Sequence, residues 1–328
     1  MAIAIEYPTK EQLKIILNVI WRWYSLNYFP NGDEEINLVK FIAKFQYLSV
    51  NDTKYFFSTQ KYYRARITSL VKKRILRRIK STLVLDEIGI EYCKLFGFDY
   101  TVLNRNQKYL PRLLCISNLG AYYNQTKNVH FTPSFAIKDK EMFTITARKF
   151  IGVFDIGGIE YLSYYISQKR DNKYIKSVIY DIQKEHKYRN ILVFVNDIRR
   201  INIEDFAFGY NSVLILEDNE QNRELLKTLN QVDWSKVIQK VYRNKVFLAE
   251  YNFCDYTDYK NKYLSYLYFL DSEKINKIKY FLRENKNKYA DIICTKELKE
   301  QIKKELPYAN YYLIDLEEFI DRKRNVYD

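Results

Sequence analysis

The side chains with the clearest chemical purpose in this chain are cations. No Asp or Glu occurs between positions 53 and 85, and ten basic residues stand in that window: Lys54, Lys61, Arg64, Arg66, Lys72, Lys73, Arg74, Arg77, Arg78 and Lys80. The 328-residue chain carries a net charge of +14, so most of its excess is gathered here. A basic run is ordinarily a solvated face whose charges pair with acids one helical turn away. With no acids to pair, the members of this run repel one another and raise the free energy of the fold. Association with a polyanion is the simplest compensation.

The elements that mount these cations follow from the apolar spacing around them. Leu38, Phe41, Ile42 and Phe45 recur at helical intervals, and residues 47–50 break the pattern. Ser49 or Asn51 can cap a short helix near 51–57, and Ser58 or Thr59 a third helix running to about residue 74. In that helix Tyr63, Ile67, Leu70 and Val71 form an apolar stripe. The opposite face is expected to show Thr59, Gln60, Tyr62, Arg66, Ser69 and Lys73, with Arg64 flanking it. Strand-like pieces follow at 76–80 and 82–85, and a further helix opens at Asp86 and ends near Gly97.

Three helices, a basic hairpin and a closing helix make a winged helix-turn-helix, whose third helix enters the major groove. On this reading Arg64 and Arg66, with Thr59, Gln60 and Tyr62, read bases, while Lys61, Lys72, Lys73, Arg77, Arg78 and Lys80 hold phosphates. The competing reading is a charged surface helix in a bundle. The strongly apolar segment 10–21 is expected to pack on the winged helix or to form a dimer contact.

From about His130 short β-rich pieces alternate with helices. Residues 150–156 and 159–165 read as a hairpin turning at Gly157 and Gly158. A helix over 174–187, strands over 191–195 and 213–216 and a helix over 219–229 follow, which argues for an α/β sheet. The last third replays this order. Tyr161-Leu162-Ser163-Tyr164 recurs as Tyr263-Leu264-Ser265-Tyr266, the helix from Ile175 matches one from Ile275, and residues 191–195 and 213–215 match 291–294 and 312–314. Offsets between 99 and 102 fit a duplicated unit or one longer sheet. They fit equally well the repetitiveness of strand-helix-strand patterns in a chain rich in Tyr and Ile.

Enzymatic chemistry finds less support. There is no GxxxxGK[ST] phosphate loop, which disfavours an ATPase or helicase. With His130 and His186 as the two histidines, a paired-histidine nickase site is absent. His186 and Arg189 supply the H-x-x-R of a tyrosine recombinase, but just before a strongly β segment. A restriction-type nuclease needs an Asp followed by E-x-K on adjoining strands. Asp155 and Glu160 lie in a suitable hairpin, but Tyr161 and Leu162 follow Glu160 where the Lys should come. Asp197, Glu217 and Asp218 at strand ends could bind a metal, although such carboxylates more often cap the next helix. The expectation is a catalytically silent scaffold, with no catalytic residue, metal ligand or cofactor assigned.

Composition sets the class. Hydrophobic residues at 47% and aromatics at 17%, with 8 Gly and 5 Pro, describe a chain able to bury two cores and exclude a low-complexity or collagen-like one. Apolar runs are of strand length, far short of a membrane span. Residues 1–6 lack the basic start of a secretory signal. Cys93, Cys115, Cys254 and Cys294 have no CxxC spacing and read as reduced, buried thiols of a cytoplasmic protein.

Three runs, Tyr62-Tyr63-Arg64-Ala65-Arg66-Ile67-Thr68-Ser69-Leu70, Ile75-Leu76-Arg77-Arg78 and Leu83-Val84-Leu85-Asp86-Glu87-Ile88-Gly89, resemble bacterial winged-helix modules. More narrowly, the chain is similar to the replication-relaxation proteins of plasmids and other mobile elements. The similarity is moderate over residues 36–97 and weak beyond them. It implies an N-terminal winged helix followed by an α/β domain reminiscent of restriction endonucleases.

The expected fold is therefore α+β: a winged-helix domain over 1–115 and an α/β domain over 130–328. The second is one sheet or two similar units, 150–230 and 255–328. The expected function is sequence-specific binding of double-stranded DNA in replication, maintenance or transfer of a mobile element. A metal-dependent nuclease or nickase and a winged-helix transcriptional repressor are the alternatives. A second copy of the chain and replication or transfer proteins are the expected protein partners, with no membrane.

Overall fold

The computed structural model describes residues 29–59, 61–104, 106–140, 149–167, 172–229, 231–242, 246–249, 251, 253–258, 262–286 and 288–319. The apolar segment 10–21 and Gln60 lie outside the described residues. The fold is α+β, with ten α-helices and three sheets among the described residues. The chain divides into two compact units, residues 1–125 and 126–328.

In the first unit, α1 (Gly32–Phe45) buries Leu38, Val39, Phe41, Ile42 and Phe45, the helical stripe of the sequence. Its first turn carries Asp33, Glu34 and Glu35, which complement the helix dipole. Next come β1 (Leu48–Ser49), a 3-10 turn (Asp52–Phe56), α2 (Tyr63–Lys72), β2 (Leu76–Ile79), β3 (Thr82–Leu85), α3 (Glu87–Leu95) and α4 (Leu110–Tyr123). The three strands form one antiparallel sheet in the order β1-β3-β2. Residues 48–49, which interrupt the helical pattern, pair with Leu83 and Thr82. Gly120 of α4 lets the Phe45 ring approach to 2.6 Å from where a Cβ would stand.

The third helix begins later than its sequence suggests. Neither Ser58 nor Thr59 caps it; the helix starts at Tyr63, without a side-chain cap. Instead the Ser58 amide donates to Glu34 Oε1 at 2.7 Å, tying the preceding loop to α1.

Arg66 completes that tie. Its Nε donates to Glu35 Oε1 at 3.0 Å, a second guanidinium nitrogen pairs with Glu34, and Nη2 donates to the Asn31 carbonyl at 3.2 Å. Its guanidinium lies 4.6 Å from the centre of the Phe57 ring. Glu35 is buried and also accepts from the Asn31 amide at 2.6 Å.

In the second unit, β4 (Val129–Pro133), α5 (Ser134–Lys140), β5 (Gly152–Ile156), β6 (Ile159–Ile166), α6 (Asn172–Gln183), β7 (Asn190–Val195) and β8 (Ser212–Glu217) come first. Then follow α7 (Glu220–Thr228), α8 (Trp234–Val241), β9 (Val246–Leu248), β10 (Tyr256–Asp258), β11 (Tyr263–Leu267) and β12 (Leu270–Asp271). The unit closes with α9 (Ser272–Glu284), β13 (Ala290–Cys294), α10 (Lys296–Glu305) and β14 (Asn310–Leu313).

Two sheets result, β12-β8-β7-β6-β5-β4 and β14-β13-β11-β10-β9. Each opens with an antiparallel meander and continues with two parallel strands. The Gly157-Gly158 turn has both residues at positive φ, +59° and +85°, as a two-residue hairpin loop requires. Ser163 Oγ donates to the Gly152 carbonyl at 2.7 Å, and Ser265 Oγ, at the matching place, donates to the Phe253 carbonyl at 2.9 Å.

β12, which follows β11 in the chain, pairs with β8 of the first sheet, and strands of both sheets contribute to one core. Glu273, just beyond β12, accepts the Phe208 and Tyr210 amides at 2.6 and 3.0 Å. Among the described residues no helix is long and apolar enough to cross a membrane.

Two outcomes test this account of the first unit. A Cβ at Gly89 would stand 2.2 Å from the Ile75 carbonyl oxygen, so Gly89→Ala should lower stability by about 2 kcal/mol or more in denaturant melts. The hydrogen bonds from Ser58, and then from Arg66, hold the Glu34 carboxyl below the usual glutamate range. Its contribution is therefore full above that range and lost as pH falls through the lower folded value. Wild type should lose more stability on acidification below about pH 4.3 than Glu34→Gln does; parallel curves would contradict the assignment.

Candidate nucleic-acid interface

Ile67 and Leu70 anchor α2 in the core of the first unit, with Tyr63 and Val71 half-buried beside them. Arg66 pins one flank to α1. Lys73 supports the same flank by donating from Nζ to the Phe29 carbonyl at 3.1 Å. These anchors fix which residues turn outward: Lys61 and Tyr62 before the helix, then Arg64, Ala65, Thr68 and Lys72, are all exposed.

The outward face is thus rotated from the one expected. Arg66, Ser69 and Lys73 sit half-buried on the α1 flank, and Arg66 has its donors engaged by Glu34, Glu35 and Asn31. Base reading by Arg66 gives way to a structural role, because two acids of α1 hold its guanidinium. Thr59 is exposed in the loop before the helix. Ala65 and Thr68 are the outward residues that the sequence reading passed over. A helical wheel centred on Ile67 and Leu70 alone, without Tyr63 and Val71, points to them.

Arg64 lies against the Tyr63 ring at 5.8 Å, with Nε donating to the Tyr63 hydroxyl at 3.2 Å. Lys61 lies 5.7 Å from the Tyr62 ring centre. These are contacts with neutral rings, which orient a cation without neutralising it.

The β2–β3 hairpin carries the other cations. Leu76 is buried, while Arg77, Arg78, Ile79 and Lys80 are all exposed. Arg78 Nε donates to the Lys80 carbonyl at 2.8 Å, bracing the tip. Lys80 itself has φ +57°, a conformation where glycine is ordinary and an L side chain is strained. Arg74, between helix and hairpin, is paired with Glu87. Lys61, Arg64, Lys72, Arg77, Arg78 and Lys80 have no ion pair with a described carboxylate.

Of the carboxylates considered for nuclease chemistry, Asp155, Asp197 and Asp218 are each occupied locally. Asp155 stands opposite Glu160 across β5–β6 and accepts the Gly158 amide at 2.8 Å, which makes it a turn residue. Asp197 accepts from the Arg199 amide and Nε at 3.1 and 2.9 Å, and this bonding lowers its pKa. Asp218 is held by Arg223 Nε at 2.6 Å and by the Tyr165 hydroxyl at 3.0 Å. Among the described residues no group of three or more His, Cys, Asp or Glu is arranged to hold a metal. His186 and Arg189 are exposed in the loop between α6 and β7.

Three of the four cysteines offer no reactive thiolate at neutral pH. Burial pushes the Cys93, Cys254 and Cys294 thiols up to about 11. Cys115, expected to be buried, is half-buried.

A cleft of about 1140 Å³ in the second unit lies where β8 and β14 end. Glu217, Glu220, Glu224, Glu297 and Asp315 line it against one cation, Lys296. That balance repels a polyanion, so the acid-free face of α2 and the β2–β3 hairpin is the better candidate. No family model matches the chain, and neither a characterised protein nor a solved structure matches it.

Proposed function

We propose that residues 32–95 form a winged helix that binds double-stranded DNA sequence-specifically. α2 is its recognition helix and the β2–β3 hairpin its wing. One observation carries this reading: six exposed cations on α2, its approach and the hairpin lack a described carboxylate partner, whereas Arg66 and Arg74 nearby are paired. The order helix, strand, helical turn, helix, hairpin and the β1-β3-β2 sheet support the same architecture. The strained Lys80 adds to it, because a cation is kept at the hairpin tip where glycine would fit with less strain.

Lys61, Lys72, Arg77, Arg78 and Lys80 hold phosphates, and Arg64 reaches base edges. The second unit is a scaffold of restriction-endonuclease-like order, an antiparallel meander followed by parallel strands, that dimerises or recruits other proteins. By its resemblance to replication-relaxation proteins, the chain serves replication, maintenance or transfer of a mobile element. Fragments captured from its own replicon test that role: repeated sites near an origin agree with it, and sites confined to one promoter point to repression.

Two measurements test the interface. Five phosphate contacts give a log–log salt slope of roughly −4.5, and replacing Arg77, Arg78 and Lys80 with Ala should bring it to about −2. An unchanged slope removes the hairpin from the interface. Lys80→Gly should leave stability within about 1 kcal/mol of wild type or above it, yet flatten the slope by about 0.9.

A further inference from the structure

The outward face of α2 is chemically narrow. Between Tyr63 and Lys72 there is no Asn, Gln, Asp or Glu, so the helix lacks the side chains that pair with adenine edges or accept from cytosine. Its one guanidinium without a described carboxylate partner is Arg64, whose Nε meets the Tyr63 hydroxyl, since Arg66 is engaged by Glu34, Glu35 and the Asn31 carbonyl. Between Lys61 and Lys72 the exposed positions Ala65 and Thr68 fill the centre of the face. The Thr68 hydroxyl donates to the Arg64 carbonyl at 2.9 Å. Its hydrogen is used within the helix, and the side chain offers its methyl group.

We infer that α2 reads thymine methyl groups through Ala65 and Thr68, so that the bound duplex carries two neighbouring thymines beside a guanine taken by Arg64. The spacing fits. Three residues advance a helix by about 4.5 Å, more than one base-pair step of about 3.4 Å along one strand and less than two. Major-groove thymine presents a C5-methyl, and small apolar side chains are the groups that pack against it. The inference rests on the DNA-binding reading above, and it deepens that reading by naming the class of site.

The test uses the full chain and a randomised duplex library. Selected duplexes should share a T-T step beside a G. Replacing those two thymines by deoxyuridine removes only the methyl groups. It should weaken binding about fourfold per base, the worth of one buried methyl-sized group. Wild-type protein suffices for this arm, so no folding defect can intervene. Thr68→Ser should abolish the penalty at one thymine and leave the other intact. Arg64→Ala should relax the preference for guanine by roughly fivefold or more. Selected duplexes without the T-T step, or equal affinity for thymine and deoxyuridine, overturn the inference while salt-dependent binding leaves the function standing. Failure to bind any duplex overturns both.

Discussion

Two acids in the first turn of α1 and one arginine in α2 decide what the first unit presents to its surroundings. Glu35 is buried and would be costly as a lone charge; Arg66 answers it and Glu34 together, and Glu34 also holds the Ser58 amide. The bridge spans from the start of one helix to the middle of another and fixes the rotation of α2 about its axis. Lys61, Arg64, Ala65, Thr68 and Lys72 face outward because Arg66 faces inward. One arginine of the basic run thus orients the helix, and its neighbours Lys61, Arg64 and Lys72 face outward.

Much of this was legible in the sequence, for physical reasons. The α1 stripe, the Gly157-Gly158 hairpin and the buried strand over 191–195 rest on local periodicity and on turn residues that need positive φ, and each stands where those signals put it. The similar order of the two sheets was also visible, down to the paired serines Ser163 and Ser265. The facing of α2 was not. Its outward side depends on a contact between residues more than thirty positions apart, and the half-buried Tyr63 and Val71 blurred the stripe that Ile67 and Leu70 define. Strand β12 was illegible too, because two residues carry no period and their partner lies in β8.

The second unit shows how carboxylates at strand ends serve a fold. Asp155 closes a turn, Asp197 holds Arg199, Asp218 is gripped by Arg223 and Tyr165, and Asp271 caps α9 through the Lys274 amide. Each neutralises nearby amides or cations instead of gathering with its fellows. Acid is abundant in the cleft of this unit and missing from the hairpin and outward helix face of the first.

The central claim is that duplex DNA lies against α2 and the β2–β3 hairpin. Photo-crosslinking tests it most directly, with a benzophenone side chain placed singly at Thr68, at Ile79 and at the exposed Tyr180 of the second unit. The account predicts adducts with a radiolabelled duplex from positions 68 and 79, competed away by salt, and none from position 180. Adducts from position 180 with none from positions 68 and 79 would contradict it.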